Sequence, residues 1–133
     1  MISYLVDTDW IIDYLKGKKE TVDKLSSLRQ NLNISIISLA ELYEGVFYTS
    51  NSSKHLDSLN NFIHGVNVIE INKDIAQIFG KQRAKLRKAG KLLDNFDILI
   101  ASTCLCNNLT LITNNTKHFK RIEGIQIENW IDE

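Results

Sequence analysis

The chain has 133 residues, 44% hydrophobic and 24% charged, with sixteen Lys plus Arg against sixteen Asp plus Glu. A chain of this length forms one domain, residues 1–133, which buries its core without a disulfide or structural metal. Abundant Ile, Leu and Val exclude disorder, six Gly and no Pro exclude collagen-like and low-complexity chains, and zero net charge excludes a global pull on nucleic acid or anionic membrane.

In chain order, residues 3–6 are an apolar run suited to a buried strand, and 9–16 read as a helix capped by Thr8 or Asp9. A helix over 21–30 precedes a β-branched strand at 33–37. Ser38 opens a helix that runs to Tyr48, and another covers 54–63. Residues 66–71 are strand-like, and 73–89 form a long helix that ends at Gly90. Residues 94–107 are helical, 110–113 form a strand, and 125–127 form a last one. Short apolar strands alternating with helices predict a parallel sheet covered on both faces. The early apolar stretches, 2–6 and 10–12, fall short of a signal core of roughly 7–15 residues or a membrane span of roughly 20. Cys104 and Cys106 stand too close for a structural disulfide, and His55, His64 and His118 match no zinc spacing. A reduced, cytoplasmic setting is the expectation.

The informative feature is where the acids fall. Asp7 and Asp9 follow the first strand, Glu41 follows the second, Asp94 and Asp97 open the helix before the fourth, and Asn114 and Asn115 follow that strand. Ligands in open α/β sheets bind outside the carboxyl ends of parallel strands, where chain direction switches. A plainer reading runs beside this one. Ser38 to Glu41 fits a capping box, Asp94 to Asp97 fits an N-cap with a first-turn acid, and Asp9 fits a cap. Two points favour a site. Asp97 shares a helical face with Ala101, Cys104 and Leu105, and Asp7 ends a buried strand where no cap explains it. Buried acids need a cationic partner, and an oxygen-only set suits Mg²⁺ or Mn²⁺.

Leu5-Val-Asp7-Thr8-Asp9, Ser38-Leu-Ala-Glu41-Leu-Tyr-Glu-Gly45, Phe96-Asp97-Ile-Leu-Ile-Ala101 and Leu111-Ile-Thr113-Asn-Asn115-Thr-Lys-His118-Phe119 occur in that order. The set resembles PIN-domain ribonucleases, most closely the VapC-type toxins of bacterial toxin–antitoxin pairs. The resemblance implies a three-layer α/β/α sandwich with a central, mainly parallel sheet of four to five strands. It also implies metal-dependent RNA cleavage that leaves a 3′-hydroxyl and a 5′-phosphate. The three acids carry over to Asp7, Glu41 and Asp97 as ligands of Mg²⁺ or Mn²⁺, with Thr8, Asp9, Asp94, Thr113 and Asn115 in support. Family habit implies transfer RNA as substrate, a homodimer, and an antitoxin segment that blocks the cavity. Two positions depart from the pattern: Asp9 stands where Asn or Ser is usual, and Asn115 where many members have a fourth acid.

Lys81, Arg83, Lys85, Arg87, Lys88 and Lys91 form a run without an acid, placing Arg83 and Arg87 on one helix edge. Lys117, His118, Lys120 and Arg121 form a second group. Arg83, Arg87 and Lys117 are the expected phosphate contacts, with a solvated helix face as the plainer reading. Trp10, Tyr14, Tyr43, Phe47 and Phe79 read as core. Two other functions compete: a PIN-like RNA- or protein-binding module with a decayed site, and a haloacid dehalogenase-like phosphatase suggested by Asp7-Thr-Asp9.

Overall fold

The computed structural model describes residues 3–28 and 31–130. Its elements are β1 (Tyr4–Val6), α1 (Thr8–Leu15), α2 (Lys19–Ser27), β2 (Leu32–Ser35), α3 (Ile36–Tyr48), α4 (Ser52–Ile63), β3 (Asn67–Ile69), α5 (Lys73–Lys88), α6 (Asn95–Asn107), β4 (Thr110–Ile112), α7 (Thr116–Phe119) and β5 (Gln126–Glu128). The strands form one parallel sheet in the order β3-β2-β1-β4-β5. The first strand is therefore central, and chain direction across the sheet switches between β1 and β4.

Alternation along each strand feeds two cores. Val6, Ile34 and Ile112 pack with Trp10, Ile11, Leu42 and Leu59 on one face. Leu5 and Leu111 pack with Leu86, Ile98, Ala101 and Cys104 on the other. Burying each large apolar side chain contributes about 1.5–3 kcal/mol, so both faces of the short strands hold the sheet in register. The expected sandwich and its parallel sheet are present, with five strands among the described residues. No described helix is long and apolar enough to cross a membrane.

Several local expectations need correcting. The second strand ends at Ser35, not at residue 37, because the Ser35 hydroxyl accepts from the Ile37 amide at 3.0 Å and starts α3 there. Ile36 and Ile37 then send their side chains to opposite cores from the first helical turn. Ser38 is inside the helix and caps nothing. Helix α1 is capped by Asp7 itself, whose carboxylate accepts from the Thr8 amide at 2.8 Å, and not by Thr8 or Asp9. Phe47 is 64% exposed rather than core, stacked on Tyr43 at the outer end of α3. The four-residue α7 was not expected. Helix α2 ends at Ser27; Arg29 and Gln30, the expected end of that helix, lie outside the described residues.

Helix α5 closes in a tight reversal. The Gly90 amide donates to the Arg87 carbonyl at 3.2 Å and the Lys91 amide to the Leu86 carbonyl at 2.8 Å. Gly90 has φ +69°, which only glycine adopts freely at such a helix end. The chain turns there toward Asp94, the N-cap of α6.

Candidate active site

The sheet's switch point carries the acids. Asp7 leaves the carboxyl end of central β1 and is only 6% exposed. Its second carboxylate oxygen accepts from the Thr113 hydroxyl at 2.7 Å, just past β4. The Thr113 hydroxyl oxygen in turn accepts from the Asn115 amide at 2.9 Å. Thr8, at the start of α1, donates its hydroxyl to Glu41 at 2.8 Å and hydrogen-bonds the Ser38 hydroxyl at 2.9 Å. Glu41 thus points across to α1 rather than back to its own helix end, so the capping-box reading fails. Asp9 takes the amides of Trp10 at 2.7 Å and Asn114 at 3.1 Å, which pins the turn after β4. Asp94 caps α6 through the Phe96 amide at 3.4 Å, as expected, and Asp97 lies half-buried in the first turn.

These acids share one electrostatic neighbourhood. Burial, and then the charges of Asp7, Asp94 and Glu41, push the Asp97 carboxyl up to about 6. Burial and Asp7 push Asp9 up to about 7. Glu41 is raised by burial and by Asp7, Asp94 and Glu44, against the Thr8 hydrogen bond. Asp7 is raised by burial, although Thr113 and Thr8 hold it down in part. Among the described residues the ion pairs are Lys18 with Asp13 and Lys85 with Glu123, neither of which reaches this cluster. The set is crowded, oxygen-only and without a cationic side chain. That chemistry fits a hard divalent cation, which binds carboxylates partly through retained water. Among the described residues no three His, Cys, Asp or Glu groups form a ready-made ligand cluster, so Asp7, Glu41 and Asp97 would reach a cation with water completing the shell.

The expected supporting residues divide. Thr8 and Thr113 touch the acids directly, and Asp9 braces the loop that follows β4. Asn115 joins through its backbone, while its side-chain amide meets His118 at 2.9 Å, which makes His118 a loop support. Ser38 and Asn114 join the site too, Asn114 having been placed at a strand end by the sequence but given no role there. Ser38 looked like a cap, and Asn114, which accepts from the Trp10 indole at 3.0 Å, is recruited across the fold. Arg83 donates to the Asn95 side chain at 2.8 Å beside Asp94, whereas Arg87 and Lys117 are exposed. Thr113→Val keeps the volume and removes a buried donor to a carboxylate, a loss of about 1–3 kcal/mol. Thermal unfolding at neutral pH should show a drop of several degrees. The drop should shrink in acid, where Asp7 is neutral and the bond is no longer charge-assisted.

Residues 4–125 match the family model of the PIN domain. Ribonuclease VapC1 of Haemophilus influenzae is 34% identical over 130 residues, spanning 96% of this chain and 97% of its own. The tRNA(fMet)-specific endonuclease VapC of Shigella flexneri is 29% identical over 131 residues, spanning 98% and 99%. The crystal structure of VapBC2 from Rickettsia felis, bound to a DNA fragment from their promoter, superimposes with a TM-score of 0.91 at 33% identity, over 98% of this chain and 100% of that one. The phosphatase reading of Asp7-Thr-Asp9 is thereby set aside. Matched along nearly its full length, and with Asp7 at the sheet's switch point in electrostatic reach of Glu41 and Asp97, the chain belongs to the PIN-domain family and to its VapC ribonucleases.

Proposed function

We propose that this chain is a divalent-metal-dependent endoribonuclease, the toxin of a toxin–antitoxin pair, acting on transfer RNA. The observation that carries the reading is Asp7. It is buried at the carboxyl end of the central strand, among Asp9, Glu41 and Asp97, and receives only hydroxyl and amide donors. Asp7, Glu41 and Asp97 would hold Mg²⁺ or Mn²⁺, which would supply Lewis-acid activation of the phosphodiester and of the attacking water. Thr113 fixes the rotamer of Asp7, and Thr8 with Ser38 fixes that of Glu41. Asp94 adds negative charge at the rim. Arg83, Arg87 and Lys117 bind phosphates on the approach. The tRNA(fMet) specificity carried in the name of the Shigella flexneri relative supports transfer RNA, and the VapBC complex of Rickettsia felis supports an antitoxin partner. Exposed Phe47 and Tyr48 on α3 suit an interface with a second copy. The free thiols Cys104 and Cys106 accord with a cytoplasmic setting.

The test is incubation of the purified chain with total RNA in Mg²⁺, in Mn²⁺ and in chelator, followed by mapping of the cut ends. Cuts confined to transfer RNA, with 3′-hydroxyl and 5′-phosphate ends and only with metal, are expected. Cleavage undiminished in chelator, or none under any condition, overturns the reading.

A further inference from the structure

We infer that a hollow at the C-terminal end of α5 is a second phosphate site, which seats the RNA backbone beside the acidic cavity; this rests on the ribonuclease reading above. The hollow, about 500 Å³, is lined by Lys85, Lys88, Lys91, Arg121 and Glu123, with Leu86 at its base. Two basic groups far apart in the chain meet there. The glycine reversal after α5 carries Lys91 back beside the last helical turn. Arg121 donates to the Leu92 carbonyl at 3.3 Å, which ties the segment after α7 to the loop before α6.

Complementing the negative end of α5 accounts for Lys85 and Lys88. It does not account for Lys91 or Arg121, which lie beyond that helix and still converge on the same hollow. Lys85 is partly neutralised by Glu123 at 2.7 Å, leaving Lys88, Lys91 and Arg121 as the cations without a carboxylate partner among the described ion pairs. The lining has no exposed aromatic or large aliphatic anchor of the kind that dominates protein interfaces. Several cations around an open hollow instead match a phosphodiester chain. Lys91 precedes Asp94 by three residues, at most about 10 Å of extended backbone, so the Lys91 rim of the hollow lies close to the acid that caps α6.

The test measures binding of a labelled transfer RNA transcript across a salt series, in an Asp97→Asn background so that no cleavage intervenes. Lys88→Ala with Lys91→Ala should weaken binding by about tenfold and make the log–log salt slope shallower by about 1.4–1.8, the loss of two phosphate contacts. Glu123→Gln should act oppositely, with tighter binding and a steeper slope, because it removes the anion and releases Lys85. Unchanged affinity and slope in both variants overturn the inference, as does a double variant that keeps its RNA and loses its protein partner. Parent protein that cuts no RNA, while the variants shift binding as stated, upholds the hollow and sinks the ribonuclease reading alone.

Discussion

Asp97→Asn is expected to abolish RNA cleavage while leaving the metal-free protein as stable as the parent, or more so. The substitution keeps the side chain's shape and removes one negative charge from a crowded set. The rise of Asp97 from 3.8 to about 6 marks an ionised form that the fold disfavours. For a fully buried group that corresponds to about 3 kcal/mol; half-burial and solvent screening reduce it to about 1–2 kcal/mol. Differential scanning calorimetry in chelator should therefore show a melting temperature raised by a few degrees, or unchanged. Cleavage should fall about 10³-fold, a loss of roughly 4 kcal/mol of transition-state stabilisation. A helix-stabilising acid would behave in the opposite way, because the first turn of α6 favours negative charge by about 0.3–1 kcal/mol. A clear fall in melting temperature with cleavage intact would return Asp97 to that structural role.

Stability of the metal-free chain should decline as pH rises from about 4 to about 7, against the usual behaviour of acids in ion pairs. The sign follows from linkage. Asp9 and Asp97 bind protons more tightly folded than unfolded, with folded values of about 7 and about 6 against 3.8. Between those limits the native state holds the extra protons, so raising pH favours the unfolded chain. The penalty is absent below about 4 and complete above about 7. Asp9→Asn should flatten the upper part of that window. Mg²⁺ should reverse the penalty most strongly at the alkaline end, contributing about 2.7 kcal/mol at a hundredfold excess over its Kd. Melting curves across pH, with chelator and with Mg²⁺, provide the check. Stability that climbs steadily through the window in chelator would mean that the acids are already compensated by groups of the protein.

What was legible in the sequence was the set of strand-end acids, because a carboxylate directly after a short apolar run has few structural reasons to be there. The two central strands were equally plain, since Leu5-Val6 and Leu111-Ile112 are buried on both faces and read as unbroken apolar runs. Other features were hidden for physical reasons. Ile36 and Ile37 have strand propensity, yet the Ser35 hydroxyl and two waiting cores draw them into a helix. Asp7 looked free of capping duty because its helix begins at Thr8, one residue earlier than the pattern over 9–16 indicates. The four residues of α7 are too few for any helical periodicity to register. The Thr8–Ser38 pairing joins positions 30 apart, and nothing local in either segment announces it.

The hydrogen bond between Thr113 and Asp7 spans 106 positions of the chain. The first of the described strands ends up in the middle of the sheet, and its second edge stays open until β4 joins it. A polypeptide still threaded through the ribosome at residue 100 already carries Asp7, Glu41 and Asp97 but lacks the clasp that orients the first of them. The carboxylate at the centre of the site therefore takes its final orientation only once β4 has joined the sheet and brought Thr113 with it.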